Sequence, residues 1–403
     1  WFDPTSRYHL NIIMIKKFLQ KIFKTLGYSI FHKIYGKIDK SIDCYSDERI
    51  KVKSININDD LNYKIYEIND SRLYTDRIHD TAIILNNQIV DGPSFQLRYK
   101  STQEIYNSNV NHNIVFKKGT PRILKKFNGV VASLLTGGGG NSNYWHWLFD
   151  VLPRIELIKK NMSLSEIDYY LVPSLKKKFQ QQSLDMLGVV NKKRLTSEKI
   201  RHLNANKIIV TDHPVVTSGD SSSDIQNIPS WIILWLKNSF LKNISLQKKR
   251  NKIYIDREDS ISSKNQRLIN NENEVREFLL KKGFALVKLA DLSFREQIEL
   301  FNSAETIVGL HGAGFSNIVF CNPGTKVVEL RNSTSGLLFE NLAKKNNLDY
   351  SSIIVGNKNL VNSKKISTKD VNNKPLVLNI EISKYAFVNQ QGNIDVPINE
   401  LSK

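Results

Sequence analysis

The sequence predicts an α/β protein with two Rossmann-like halves, preceded by a basic amphipathic helix. The chain has 403 residues, which is too many for one ordinary core and fits two domains. Short β-branched segments alternate with segments of helical length, a pattern typical of parallel sheets with crossover helices. The alternation restarts after the polar, lysine-rich stretch Lys242–Lys252. We therefore predict an N-terminal extension over residues 1–45 and domains over 46–245 and 246–403.

The extension contains the predicted amphipathic helix. Apolar residues recur at helical spacing from Ile15 to Ile34, and lysines fill the other positions from Lys16 to Lys37. These lysines are too frequent for the apolar core of a signal peptide, and no apolar stretch of the chain approaches the roughly 18 residues of a membrane span. The helix either lies on an anionic membrane surface or packs on the protein's own core, and both alternatives stay open.

The first domain begins with a strand-rich part, after which strands and helices alternate. The predicted strands are Lys51–Ile57, Tyr63–Ile68, Thr81–Leu85, Asn113–Phe116, Val130–Leu135, Tyr169–Val172 and Lys207–Val210. The predicted helices are Tyr144–Lys160, Lys176–Leu187 and Pro229–Lys242.

The second domain alternates more regularly and ends in an Asn- and Lys-rich tail. The predicted strands are Lys252–Asp256, Phe284–Lys288, Thr306–Leu310 and Lys326–Leu330. The predicted helices are Asn273–Lys282, Ser293–Ser303 and Gly336–Asn346. Gly283 is a suitable residue after the end of the first helix, and Ser293 with Glu296 forms a capping box at the start of the second.

The charge balance limits the classes of partner. Lysine and arginine number 58 against 39 aspartate and glutamate residues, which gives a formal net charge of +19. Such an excess favours an anionic partner: nucleic acid, a lipid surface or a phosphorylated substrate. Cys44 and Cys321 are too few for a disulfide framework, so we expect buried thiols in a reducing compartment. The predicted location is cytoplasmic, peripheral at the inner face of the membrane if the N-terminal helix binds lipid.

The first candidate site combines a glycine loop with a helix start. Gly137–Gly140 allow close backbone approach, and Asn143 or a neighbour supplies an N-cap. His146, Asp150 and Arg154 then recur every four residues and share one face of the helix. A histidine and an aspartate one turn apart suit general-base catalysis. The same stripe also fits a surface Asp–Arg pair beside a hydrogen-bonded histidine.

The second candidate site is the glycine turn within Ile307–Asn317. Gly312 and Gly314 follow a buried strand and precede a helix-compatible stretch, where backbone N–H groups can approach a phosphate. Glu329 ends the next strand, where acids of dinucleotide-binding folds accept hydrogen bonds from ribose. Asn317 replaces the third glycine of the G-x-G-x-x-G fingerprint, so a tight turn without a ligand is the alternative.

Arg257 is the third candidate. The strand Ile253–Arg257 delivers its guanidinium to the carboxyl edge of the second sheet, where ligands bind in such folds. A guanidinium at this edge can clamp a diphosphate, whereas a surface ion pair is the default alternative.

The sequence carries no metal-binding signature. It has no Asp-x-Asp motif, no H-E-x-x-H motif and too few cysteines for a zinc cluster. We therefore predict no structural or catalytic metal and no resident cofactor.

Together these segments resemble glycosyltransferase family 61, in its bacterial capsular-polysaccharide branch. The motifs that carry the resemblance are H-W-x-x-D-x-L-P-R at His146–Arg154, a strand ending at Arg257 with Arg267 and Asn271–Glu272 after it, L-S-F-x-E-Q-I at Leu292–Ile298, H-G-A-G-x-T/S-N at His311–Asn317 and P-G-x-x-V-x-E-L at Pro323–Leu330. The likeness covers about residues 125–345. Ser316 stands where the family more often has threonine, and Phe315 where it usually has leucine.

The resemblance implies a GT-B-like fold, with two Rossmann-like domains facing across a cleft. It also implies inverting, metal-independent transfer of a hexose or pentose from a nucleotide sugar, a UDP-sugar, during biosynthesis of a capsule- or lipopolysaccharide-type polysaccharide. The residues implied for the nucleotide sugar are Arg257, Arg267, His311, Gly312, Ala313, Gly314, Ser316, Asn317 and Glu329. Those implied for a glycan or lipid-linked glycan acceptor are Asn143, Tyr144 and Arg154. Either Asp150 or His146 acts as the base.

Two other functions share parts of this pattern. A nucleotide-dependent oxidoreductase or epimerase uses a similar glycine turn, but the third glycine and a convincing Tyr–Lys or Cys–His pair are missing. A non-enzymatic nucleic-acid-binding protein would explain the charge, but the basic residues are scattered and no recognised module is present. We therefore expect no nucleic-acid partner.

Overall fold

The structure of the protein is a computed structural model. It describes residues 27–57, 61–76, 81–94, 96–99, 105–135, 143–218, 221–242, 244, 251–257, 268–333, 335–356, 360–383 and 393–401.

The first half is built around a nine-stranded mixed sheet. The strands of this half are β1 (Lys40–Ile42), β2 (Ile50–Asn56), β3 (Asn62–Thr75), β4 (Thr81–Leu85), β5 (Gln88–Val90), β6 (Gln96–Tyr99), β7 (Ile105–Ser108), β8 (Lys125–Ser133), β9 (Tyr169–Val172), β10 (Arg194–Thr196) and β11 (His202–Thr211). The order in the sheet is β1-β5-β4-β3-β11-β8-β9-β10, with β2 also paired to β3, while β6 and β7 form a separate hairpin. The pairs β11–β8, β8–β9 and β9–β10 are parallel, whereas β3 pairs antiparallel with β2, β4 and β11. Parallel pairing is thus confined to part of this sheet.

The second half contains a fully parallel five-stranded sheet. Its strands are β12 (Asn251–Asp256), β13 (Ala285–Lys288), β14 (Ala304–Leu310), β15 (Lys326–Asn332) and β16 (Asp349–Val355). Their order, β13-β12-β14-β15-β16, is that of a doubly wound sheet. The winding direction reverses between β12 and β14, and folds of this kind bind ligands outside the carboxyl ends of the strands at that point.

The tail forms a hairpin that the sequence did not predict. Strands β17 (Leu360–Lys369) and β18 (Pro375–Ser383) pair antiparallel. The amide of Gln226 donates a hydrogen bond to the backbone carbonyl of Glu381 (2.9 Å), and the Ser230 hydroxyl donates to that of Lys369 (2.6 Å). The hairpin is thereby held on the first half of the chain.

Helices cover the sheets and confirm most of the predicted positions. They are α1 (27–35), α2 (Ile114–Lys118), α3 (Tyr144–His146), α4 (Pro153–Asn161), α5 (Lys178–Met186), α6 (Ser221–Gln226), α7 (Ser230–Phe240), α8 (Glu272–Lys281), α9 (Phe294–Asn302), α10 (Leu338–Lys345) and α11 (Ile398–Leu401). The capping box of α9 is confirmed, since the Ser293 hydroxyl accepts from the backbone N–H of Glu296, whose carboxylate accepts from that of Ser293. No helix in the described part of the chain is long and apolar enough to cross a membrane.

Two predicted elements are corrected. The predicted strand Asn113–Phe116 is wrong, because Asn113 accepts a hydrogen bond from the backbone N–H of Val115 and caps helix α2. The single predicted helix Tyr144–Lys160 consists of α3, a π-helical segment Trp147–Val151 and α4. The wider π turn ends at Val151, two residues before Pro153, whose ring would collide with a carbonyl in a regular helix.

The two halves share one hydrophobic core. Trp147 and Phe149, Phe240 of α7, and Phe294 of α9 belong to a single buried cluster with Phe320 of the second half. The rings of Phe240 and Phe294 meet edge to face at 5.1 Å. Because this cluster extends from one half into the other, side chains of the first half pack against those of the second half.

Most of the predicted N-terminal amphipathic helix lies outside the described residues. In its described end, α1, Tyr35 faces the protein, where its hydroxyl accepts a hydrogen bond from the backbone N–H of Leu124 (2.9 Å) and its ring meets His202. Ile30 and Ile34 are 55% and 60% exposed. Ile30 and Ile34 therefore do not pack on the protein's own core, which was one of the two alternatives for the apolar face of this helix.

Candidate active site

A pocket of about 250 Å³ opens at the carboxyl ends of β12 and β14, where the second sheet reverses its winding. Arg257 and the turn Gly312–Gly314 line it from the second half. Tyr144 and Phe179 line it from the first half, and their rings meet edge to face at 4.8 Å. The pocket therefore combines a cation and a glycine turn with two aromatic rings.

Close packing explains why two residues of the turn are glycines. A Cβ atom on Gly312 would lie 2.5 Å from the Arg257 Nη1 atom, and one on Gly314 would lie 2.9 Å from the Leu289 Cδ1 atom. Arg257 Nη1 also donates a hydrogen bond to the backbone carbonyl of His311 (3.2 Å). The guanidinium is therefore held directly against the turn. A 3₁₀ helix, Ala313–Phe320, begins at this point, and its first residues line the pocket.

His311 and Glu329 form a buried pair beneath the turn. His311 Nδ1 bonds to one carboxylate oxygen of Glu329, and the hydroxyl of Tyr350 donates to the other. Burial and the neighbouring Glu329 carboxylate raise the pKa of Tyr350, which keeps its hydroxyl protonated. Both carboxylate oxygens of Glu329 thus have a partner within the protein and its side chain is buried, while its contact with a ribose stays a prediction. Glu329 orients the histidine behind the turn.

Ser316 and Asn317 are also fully buried. The Asn317 Oδ1 atom accepts a hydrogen bond from the Tyr144 hydroxyl (2.5 Å), and its amide nitrogen donates to Gln297 Oε1 (3.0 Å). The contact of Asn317 with the nucleotide stays a prediction. Its side chain joins α3 of the first half to the turn of the second half.

The His146–Asp150 pair is formed as predicted from its spacing. The Asn143 side chain caps α3 by accepting from the backbone N–H of Trp145 (2.8 Å). One turn on, His146 Nδ1 lies 2.5 Å from Asp150 Oδ2. The His146 side chain is 36% exposed, whereas that of Asp150 is 6% exposed. The histidine is thus the member of the pair that is accessible from outside. Neither residue is among those that line the pocket.

The pair is electrostatically coupled. Burial opposes a charge on His146, but the charge and hydrogen bond of Asp150 outweigh it, so the pKa of His146 is raised. Burial likewise opposes the charge on Asp150, but the nearby imidazoles of His146 and His213 and the hydrogen bond from His146 lower its pKa. The ground state is therefore an ionised aspartate that supports a proton on the histidine.

Arg154 lies under the pair and is 0% exposed. Its Nε–H donates to the backbone carbonyl of Asp150 (2.8 Å), and Nη1 reaches the carbonyl of Thr211 at 3.4 Å. Burial lowers the pKa of Arg154 to about 10. In this structure the guanidinium contacts the backbone behind the pair, and the contact of Arg154 with an acceptor stays a prediction.

His213 was missed by the sequence analysis. Its Nε2 atom lies 3.9 Å from Asp150 Oδ2, the oxygen that also contacts His146, and its side chain is 1% exposed. The one signal for it was its place in the segment Asp212–Pro214, which follows the predicted strand Lys207–Val210. Phe179 was missed as well, because its spacing on α5 resembles that of an ordinary core residue. Arg267 and the loop Gly137–Gly140 lie outside the described residues.

The described part of the chain contains no candidate metal-binding cluster. There, no group of three or more histidine, cysteine, aspartate or glutamate side chains is arranged to hold a metal ion. Metal independence of the reaction stays a prediction.

Comparison with known proteins assigns a class to this site. Residues 144–328 match the family model described as Glycosyltransferase 61. The matched segment begins at the helix that carries His146 and Asp150 and includes Arg257 and the Gly312–Gly314 turn. The protein is therefore a glycosyltransferase, an enzyme that in general takes a nucleotide-sugar donor and a glycan acceptor. No curated protein matches the chain.

Proposed function

We propose that the protein transfers a sugar from a nucleoside-diphosphate sugar to a hydroxyl of a glycan by a single inverting displacement. The observation that carries this proposal is Arg257 packed against the Gly312–Gly314 turn at the reversal point of a parallel sheet. A guanidinium and the N–H groups of a helix start are suited to a diphosphate. The aromatic rings of Tyr144 and Phe179 supply an apolar wall on the other side of the pocket.

The proposed base is His146, with Asp150 orienting it. His146 is the exposed member of the pair, and its Nδ1 atom is engaged by the carboxylate, which leaves Nε2 to accept a proton. In the reaction, the proton of the acceptor hydroxyl moves to Nε2 and the hydroxyl oxygen forms a bond to the anomeric carbon. The bond from that carbon to the diphosphate oxygen breaks, and its electron pair leaves with the diphosphate. Arg257 and the turn N–H groups stabilise the charge that develops there.

Ligand binding tests the donor site directly. Calorimetry should detect UDP binding to the wild-type protein and no comparable binding of a nicotinamide dinucleotide. Arg257→Ala should weaken UDP binding about 10- to 100-fold, since hydrogen bonds to charged groups contribute about 1.5–3 kcal/mol. Equal affinity of the wild type and Arg257→Ala for UDP would refute the donor site.

Turnover and stereochemistry test the rest of the mechanism. UDP release from a panel of UDP-sugars, with and without a chelator, identifies the sugar and tests metal independence. NMR of the product gives the anomeric configuration, and retention would contradict a single displacement. The UDP donor, the surface-polysaccharide pathway and the GT-B-like arrangement of the two halves rest on the family resemblance.

We further propose that α1 places the enzyme on the cytoplasmic face of an anionic membrane. The support is the exposure of Ile30 and Ile34 on one helix face, next to Lys33 and Lys37. Flotation with phosphatidylserine vesicles tests it: Ile30→Glu/Ile34→Glu should abolish binding. Leu280→Glu, at an exposed apolar residue elsewhere, is the control that should retain it. Equal flotation of both variants would exclude this surface.

A further inference from the structure

His213 is held in one tautomer by its own turn. Its Nδ1 atom accepts hydrogen bonds from the backbone N–H groups of Val215 (3.2 Å) and Val216 (3.1 Å). A ring nitrogen that accepts two N–H groups carries no proton, so the neutral ring has its proton on Nε2. Burial lowers the pKa of His213 to about 3, which keeps the ring neutral at physiological pH. The residue is therefore a fixed N–H donor rather than a base.

The donor atom of His213 lies near Asp150. Its Nε2 atom lies 3.9 Å from Asp150 Oδ2, the oxygen that also bonds to His146 Nδ1. This distance is longer than a hydrogen bond, and among the described residues Nε2 has no hydrogen-bond partner. Both side chains are almost completely buried. A buried N–H group is costly to leave unpaired, which favours a hydrogen bond from this group to the Asp150 carboxylate.

We propose that His213 is a positioning residue, which holds the Asp150 carboxylate ionised and aligned on His146 through its Nε2–H group. The inference rests on the proposed role of His146 as the base. His213 neither gains nor loses a proton in the reaction. It acts as the third member of a line His213–Asp150–His146, in which only His146 meets the acceptor.

The direction of its effect follows from the charges around it. The titratable or charged groups that face His213 are Asp150, Arg154 and His146, and Asp212 adjoins it in the chain. A donor on Asp150 withdraws negative charge from the carboxylate and so weakens its support for a proton on His146. Removal of the Nε2–H group should therefore raise the pKa of His146 and move the acid limb of the rate profile to higher pH.

Two variants separate positioning from a structural role. In His213→Asn the amide oxygen can replace Nδ1 as the acceptor for Val215 and Val216, but no donor reaches Asp150. In His213→Gln the amide nitrogen can replace Nε2 as the donor, but the turn loses its acceptor. A positioning role predicts that turnover is lost in His213→Asn and largely retained in His213→Gln. A role confined to the turn predicts the reverse.

The experiment combines NMR with turnover. In the full chain with ¹³C,¹⁵N-labelled histidine, His213 should stay neutral with its proton on Nε2 from pH 5 to pH 9. In His213→Asn the pKa of His146 should rise by about half a unit to one unit, and UDP release from UDP-sugars should fall about 10-fold. In His213→Gln release should return to within about threefold of wild type.

Several results would overturn the inference. The inference is refuted if NMR finds the proton of His213 on Nδ1. It is also refuted if His213→Asn is folded and the pKa of His146 is unchanged in it. If thermal denaturation shows that His213→Gln is not folded, the test depends on two measurements: the tautomer of His213 in the wild type and the titration of His146 in His213→Asn. His146→Ala and Asp150→Asn distinguish this from failure of the proposed function. If both variants retain turnover, the proposed base is wrong. If both lose turnover while His213→Asn behaves like the wild type, only the proposed role of His213 is wrong.

Discussion

Replacement of Gly312 by alanine tests whether Arg257 is placed by the glycine turn. The backbone of Gly312 is extended (φ 163°), so alanine introduces no backbone strain. Its Cβ atom would lie 2.5 Å from Arg257 Nη1, which forces the guanidinium away from the turn and breaks its 3.2 Å hydrogen bond to the His311 carbonyl. If the displaced cation no longer reaches the diphosphate, a contact of about 1.5–3 kcal/mol is lost, and the Kd for UDP rises about 10- to 100-fold.

Calorimetry with UDP on a double-mutant cycle measures this effect. Gly312→Ala should add almost nothing in the Arg257→Ala background, because the group that it displaces is already absent. Gly336→Ala is the matched control, since its added Cβ atom would meet no neighbour closer than 3.8 Å. Folding stability should change little in either variant, because the clash at Gly312 is with the end of a flexible side chain. Wild-type UDP affinity in Gly312→Ala, or full additivity with Arg257→Ala, refutes the reasoning.

Three further predictions concern the base, the contact between the halves and the response to acid. His146→Ala and Asp150→Asn should each lower UDP release about 100-fold or more with little change in UDP affinity, and wild-type activity should fall as the pH drops through a value above 6.5, because the pKa of His146 is raised. Tyr144→Phe should lower the free energy of unfolding by about 1–3 kcal/mol in urea, because buried Asn317 Oδ1 loses its donor; an unchanged midpoint would contradict that role. Burial lowers the pKa of His202 to about 4, so the unfolded chain binds the extra proton between pH 6.5 and pH 4 and stability is lost as the pH falls, at about 1.4 kcal/mol per pH unit. Urea unfolding should show a smaller loss over that range in His202→Gln, and an equal loss would exclude this source.

Local sequence patterns predicted secondary structure correctly where residues close together in the chain determine it. Strands β12, β14 and β15 are buried, β-branched segments of the second sheet, and all three were predicted within a few residues. The capping box of α9 was predicted because both of its partners lie in one turn. Asn113–Phe116 failed because a short apolar run fits a strand and a helix equally well, and the N-cap bond of Asn113 decided for the helix.

Burial of polar residues could not be predicted in the same way. Arg154 and Glu329 were expected to face ligands, since each lies next to a plausible site in the sequence. Both face inward, because Arg154 satisfies the carbonyls of Asp150 and Thr211 while Glu329 joins His311 to Tyr350. Which face of an element is covered depends on the neighbouring elements, and no local pattern encodes that.

The sequence by itself determined the two alternating halves, the glycine turn and the His146–Asp150 pair, because a four-residue spacing on a helix makes two side chains neighbours wherever that helix lies. Only the tertiary structure decided what surrounds the pair and the turn. It set His213 against Asp150, and it joined Tyr144 to Asn317 across 173 positions of the chain. Such contacts depend on strand order and on the core shared by the two halves, which are properties of the packed chain as a whole.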